Sequence, residues 1–117
     1  MHEKNFWTDL TGLSGTTLKT LGYGNAFDVV SADAKNVVIR PHESMTERTI
    51  ARQAFEGAFG AIRASGSLDL KGIRKFNEMN PVYIAAMIAR LPYIRCVPKP
   101  RIVLHYAVPT PEKPVQP

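Results

Sequence analysis

The chain predicts an α+β fold, and three observations lead to it. The first third alternates β-branched and apolar residues in short runs broken by Gly and Asn. The middle carries a long stretch of helical period, and an Asn80-Pro81 pair then opens a second, almost wholly apolar helix. The expected architecture is a small antiparallel sheet, a three-stranded meander plus a C-terminal strand. It packs against one long helix and a short helix-turn-helix-like pair. At 117 residues the chain suits one domain, able to bury roughly two-thirds of its unfolded surface. No internal repeat is present.

Residues 6–13 suit a short helical turn, stopped by Gly12 and Gly15. Strand candidates follow at residues 16–21, 26–30 and 37–40. Gly22, Gly24 and Asn25 break the chain between the first two, and Ser31 to Asn36 has the composition of a hairpin loop. Pro41 ends the meander. Ser44 with Glu47 three residues on matches an S-x-x-E capping box, which predicts a helix over residues 44–64 with Gly66 as its C-cap.

On that helix Ile50, Ala51, Ala54, Phe55, Ala58, Ala61 and Ile62 cover one broad side. Arg48, Arg52, Glu56 and Arg63 fall within roughly 80° on another. Gly57 and Gly60, with Gln53, form a thin-walled third face. Two helix-interior glycines cost about 1 kcal/mol each relative to Ala, so such a face serves close approach. Packing within the monomer, self-association as a homodimer and a ligand are its three readings.

Asp69 is placed to cap the next short helix, with Leu70, Ile73 and Phe76 inward and Lys71, Arg74 and Lys75 outward. Asn80-Pro81 combines a good N-cap with a residue tolerated at the first helical position. The helix it opens holds one charge, Arg90, and few groups that read a base edge. It reads as core, not as a recognition helix. Pro92, Pro98 and Pro100 force an extended path to a last strand at residues 101–106, expected to return to the meander. The expected core is Phe27, Val29, Ile39, Ile50, Phe55, Ile62, Leu70, Ile73, Ile84, Ile88 and Leu104. The single domain should span residues 1–108, with 109–117 a disordered Pro-rich tail whose Pro111, Pro114 and Pro117 match P-x-x-P spacing.

Charge is more informative when split. Residues 1–39 hold three Lys/Arg against four Asp/Glu, and residues 40–117 hold twelve against six, together the chain's net +5. A basic balance favours acidic partners, of which nucleic acid is the commonest. The lone Cys96 excludes an internal disulfide, and the first residues lack a signal-peptide pattern. Both predict a reducing, cytoplasmic setting. The longest apolar run, residues 82–89, is too short for a bilayer, which needs about 20 residues.

Motifs of catalysis are missing from the sequence: Gly12-x-x-Gly15 and Gly22-x-Gly24 lack the rest of a phosphate loop, and there is no G-x-S-x-G or C-x-x-C. No cofactor or metal is expected, since His2, His42 and His105 are too scattered. His42-Glu43 is the best acid/base candidate, against the plainer reading of a surface His beside a helix start. Cys96 beside Arg95 is a candidate reactive thiol, against that of an idle one.

Nucleic-acid association is the leading expectation. Its candidate residues are Arg48, Arg52, Arg63, Lys71, Arg74, Lys75, Arg95, Lys99 and Arg101, with Tyr23 and Tyr93 as stacking residues. Glu56 and Glu78 would partly cancel that field, Glu56 through an i,i+4 pair with Arg52. The alternative is a homodimeric or inhibitor-like interaction module, using the Gly57/Gly60 face or an open sheet edge.

Two passages carry a resemblance. One is Thr17-Leu18-Lys19-Thr20-Leu21 with Ala26-Phe27-Asp28-Val29-Val30 and Val37-Val38-Ile39-Arg40-Pro41, and the other runs from Asn80-Pro81-Val82-Tyr83 to Arg90-Leu91-Pro92. Together they resemble small uncharacterised bacterial α+β domains of the kind met in gene cassettes, phages and defence-related loci. The resemblance implies an accessory protein of a mobile element and transfers no catalytic residue. The first passage also resembles the opening strands of an SH3-like barrel.

Overall fold

Alternation along each strand decides which face is buried. Phe27 and Val29 on one strand, and Val37 and Ile39 on the next, are fully buried. Asp28, between the first two, and Arg40, next to Ile39, face each other in register on the opposite side. The computed structural model describes residues 6–107 and is α+β. A short helix α1 (Phe6–Thr11) leads into a meander of β1 (Thr17–Lys19), β2 (Ala26–Ala32), β3 (Asn36–Pro41) and β4 (Arg48–Ala51), antiparallel throughout and ordered β1-β2-β3-β4. The long helix α2 (Arg52–Ser65) follows directly. Then come β5 (Ser67–Asp69), α3 (Leu70–Arg74), α4 (Pro81–Ile88), β6 (Ile94–Val97) and β7 (Val103–Tyr106).

The fold class stands as read, but β4, β5 and β6 are strands not expected from the sequence, and the last strand pairs elsewhere. Residues 48–51 form a strand, so the capping box at Ser44 does not start a helix. Met45 has φ 57, in the left-handed region that interrupts a right-handed helix. Ser44 Oγ accepts from the Thr46 N–H at 3.3 Å within a local turn. Ile50 lies opposite Val37 and is fully buried. A helix from residue 44 would surrender this ladder, so non-local pairing prevails over a local cap. The C-terminal strand, in turn, joins a second sheet, ordered β5-β7-β6, rather than the meander. There Leu104 pairs with Leu68 on one side and Cys96 on the other.

Several caps form as the sequence indicates. Gly66 ends α2 at φ 91, its N–H donating to Ile62 O. Asp69 Oδ1 accepts from the Gly72 N–H at 2.9 Å at the start of α3. Asn80 precedes Pro81 as expected, but its side chain does not cap the helix. It receives Arg48 instead.

One core joins the inner face of the meander, α2 and α4. Phe55, Ile62, Ile73, Ile84, Ile88 and Leu104 are fully buried, along with Phe27, Val29, Ile39 and Ile50. Each such side chain contributes about 1.5–3 kcal/mol relative to an exposed one. Leu70, also expected inside, is half-buried. Phe6 stacks on Phe59 with ring centroids 4.2 Å apart, which fastens α1 to α2. α4 is core, as read, with Ile84 through Ile88 all buried. The tail expected over 109–117 lies outside the described residues.

The Gly57/Gly60 face needs correction as a route to a homodimer. A Cβ on Gly57 would sit 2.5 Å from Phe76 Cδ1, so that glycine is covered by the chain's own α3–α4 connection. Phe76 reaches it while remaining 40% exposed, not inward as expected. Gly60 has open space around it.

Candidate nucleic-acid interface

The basic residues separate into two sets by what holds them. Arg48 leaves β4 towards α4, where its Nη1 donates to Asn80 Oδ1 at 3.0 Å and its guanidinium lies 5.4 Å from the centre of the Tyr83 ring. Arg52 donates from Nε to Glu56 Oε2 at 2.9 Å and from Nη1 to Ala34 O at 3.1 Å. It also lies 5.0 Å from the centre of the Trp7 ring. The Arg52–Glu56 pair is the one the sequence suggested. Arg48 and Arg52 are thus each engaged by the fold, and Arg48 lies on a strand, not on the helix face expected for it.

The second set is exposed. Arg63, Lys71, Arg74, Lys75, Arg95 and Lys99 are exposed and make no ion pair with any described residue. Arg101, with its side chain 76% exposed, is 3.7 Å from Asp69 Oδ2, a loose contact in water.

Two of these cations, thirty positions apart in the chain, meet at one cleft. A hollow of about 450 Å³ is lined by Gly22, Asp69, Leu70, Lys71, Pro98, Pro100, Arg101 and Ile102. Lys99, between the two prolines, is on the same loop. Arg74 and Lys75 follow one turn after Lys71 on α3. Arg63 and Arg95 do not line the cleft. Beside it the β1–β2 loop carries Tyr23, 93% exposed, next to Gly22. Gly22 and Gly24 both have positive φ, at 89 and 72, which lets the loop turn tightly and present the ring. Tyr93, the other expected stacking residue, is 1% exposed and donates from its hydroxyl to Asp9 Oδ2 at 2.9 Å. It is a core residue that ties α1 to the end of α4.

His42 is paired, but with Asp28 rather than Glu43. Its Nε2 is 2.8 Å from Asp28 Oδ1 on the outer face of the meander. Asp28 also accepts from Thr17 Oγ1 at 2.7 Å and from Arg40 Nη2 at 3.1 Å. These bonds, His42's first and then those of Thr17 and Arg40, hold the Asp28 carboxyl well below the usual carboxylate range. The cluster crosses three registered strands and works as a staple. Strand alternation, which sets Asp28 and Arg40 on one face, was the sequence signal for it.

Cys96 is half-buried, and burial pushes its thiol up, which overturns the reading of an activated thiolate beside Arg95. It lines a second hollow of about 490 Å³ between β1, α4 and β6, with Lys19 and Arg90 among the other lining residues. Among the described residues no helix is long and apolar enough to cross a membrane.

Sequence reasoning assigned Asp69 only a capping role and did not place Gly22, Pro98, Pro100 or Ile102 at a site. Asp69 had a readable cap signal, but nothing in one dimension joins the β1–β2 loop, the β5–α3 junction and the β6–β7 loop into a cleft. Comparison with protein-family models, with curated proteins and with solved structures finds no match for this chain in any of the three.

Proposed function

We propose that this protein is a small non-catalytic nucleic-acid-associated accessory protein whose contact surface is the α3 cleft, not the face of the long helix. The observation that carries the reading is the fully presented Tyr23 ring beside a cleft bordered by Lys71 and Arg101. An aromatic face next to exposed cations suits a strand whose bases stack while its phosphates are neutralised. Lys99, Arg74 and Lys75 extend the positive surface along the backbone path.

Fluorescence anisotropy of labelled single-stranded DNA, duplex DNA and RNA from about 50 to 200 mM salt tests the proposal. Three to five neutralised phosphates on a single strand predict a slope of log K against log salt between about −2 and −3.5. Micromolar binding with that slope supports it, as does its loss in Tyr23→Ala and Lys71→Glu. No binding at low salt overturns it.

A further inference from the structure

Asp69 is out of place in a purely phosphate-binding cleft. It lines the hollow alongside Lys71 and Arg101, and its negative charge would disfavour a phosphate entering there. The remaining lining, Leu70, Pro98, Pro100 and Ile102, is apolar. Whatever enters should thus be neutral and carry hydrogen-bond donors, while phosphates remain at the cationic rim. Asp69 Oδ1 already accepts the Gly72 N–H at 2.9 Å, and Oδ2 has only the loose 3.7 Å contact with Arg101. An ionised carboxylate offers about four acceptor positions, so each oxygen, with one partner, retains capacity to accept a further hydrogen bond.

We infer that the cleft takes one unpaired guanine of a single strand, with Asp69 reading its Watson–Crick edge. This rests on the nucleic-acid reading above and specifies the base. Guanine alone among the bases has two adjacent donors on that edge, N1–H and the N2 amino group, which match the two oxygens of a carboxylate. Cytosine and adenine set an acceptor nitrogen beside their amino group, facing the carboxylate. Thymine and uracil set carbonyls on both sides of a single donor. Because the edge is engaged in a duplex, the base must be unpaired. Tyr23 then stacks on a neighbouring base, and Lys71 and Arg101 hold the flanking phosphates.

The test is anisotropy with a labelled twelve-nucleotide dT strand against the same strand carrying one central dG, dI, dA or dC. One dG is expected to tighten binding on the order of tenfold, the scale of a good bidentate base contact. Inosine, which keeps N1–H and lacks the amino group, should fall between dG and dT. Asp69→Asn preserves a good N-cap residue and should bring the dG-to-dT affinity ratio to about one. The inosine strand probes the same contact without altering the protein. Equal affinity for the dG and dT strands, with salt-dependent binding intact, overturns the guanine inference and leaves the nucleic-acid reading standing. A dG preference that survives in Asp69→Asn overturns the role of Asp69. Absence of binding to every strand overturns both readings. Guanosine monophosphate competing as well as the dG strand would reassign the cleft to a free nucleotide and overturn the single-strand inference.

Discussion

Arg48 and Arg52, beside the Tyr83 and Trp7 rings, and Lys71 and Arg101, at the cleft, contribute equally to net charge and meet very different surroundings. The first two have their guanidinium groups on Asn80 and Glu56, with the Tyr83 and Trp7 rings alongside. A ligand that recruited them would first have to break those contacts. The cleft cations project into water, where a phosphate displaces only counterions. A basic composition therefore says less about binding than the number of cations the fold leaves unused.

The largest expected effect comes from reversing the unused set. Lys71→Glu/Lys99→Glu/Arg101→Glu should weaken single-strand binding about 100-fold or more at low salt and flatten the salt dependence. Its melting temperature should change little, because exposed substitutions usually shift stability by no more than about 0.5 kcal/mol. A triple variant that binds like the parent protein would remove the cleft from the functional account.

The complementary experiment on the tied set should give the opposite pattern. Arg48→Ala strips the 93%-buried Asn80 of its charged donor. Losing a hydrogen bond to a charged group and leaving a buried acceptor unmet costs about 1.5–3 kcal/mol. For a domain of this size that lowers Tm by roughly 5–15 °C. Nucleic-acid affinity measured below the transition should stay within about twofold, since Arg48 meets no strand in this reading. Stability held and affinity lost would mean that the two sets had been interchanged.

The sequence misled about the arginines for a traceable reason. Placing Arg48, Arg52 and Arg63 on one face presumed a helix starting at Ser44, because Ser44 and Glu47 satisfy a local capping pattern. Ile50 instead completes a ladder with Val37, an interaction between distant residues that no local rule contains. The alternation of Phe27, Val29 and Ile39, the Gly66 cap and the apolar α4 were legible because each depends on neighbours within a few positions. The cleft was not. Its walls come from residues near 22, 70 and 100, brought together only when β7 enters the second sheet between β5 and β6.

A pH titration separates the two regions in another way. The Asp28 carboxyl is held below its ordinary value of 3.8, chiefly by its bond to His42. A depressed folded-state value means that the staple's contribution is complete above about pH 4 and declines as pH falls further. Asp28→Asn should lower stability near pH 7 and flatten the acid limb of the stability curve, as followed by denaturant unfolding between about pH 2 and 7. An acid limb as steep in Asp28→Asn as in the parent would show that another carboxylate governs it.

The smallest expected effect distinguishes two positions on one helix turn of α2. An alanine methyl at Gly60 meets open space, so Gly60→Ala should raise stability by up to about 1 kcal/mol through helix propensity alone. At Gly57 the same methyl would fall 2.5 Å from Phe76 Cδ1. That ring is 40% exposed and able to swing outward, so the propensity gain is offset by a lost contact and the net change should be near zero. Thermal melts of the two variants, with mass by light scattering, compare the positions directly. A stabilised Gly60→Ala with unchanged mass means that the face is solvated in solution, as it is in the isolated chain. Destabilisation there, accompanied by a fall in mass, would point to a second copy seated on Gly60, because no described residue comes within 4 Å of a methyl at that position.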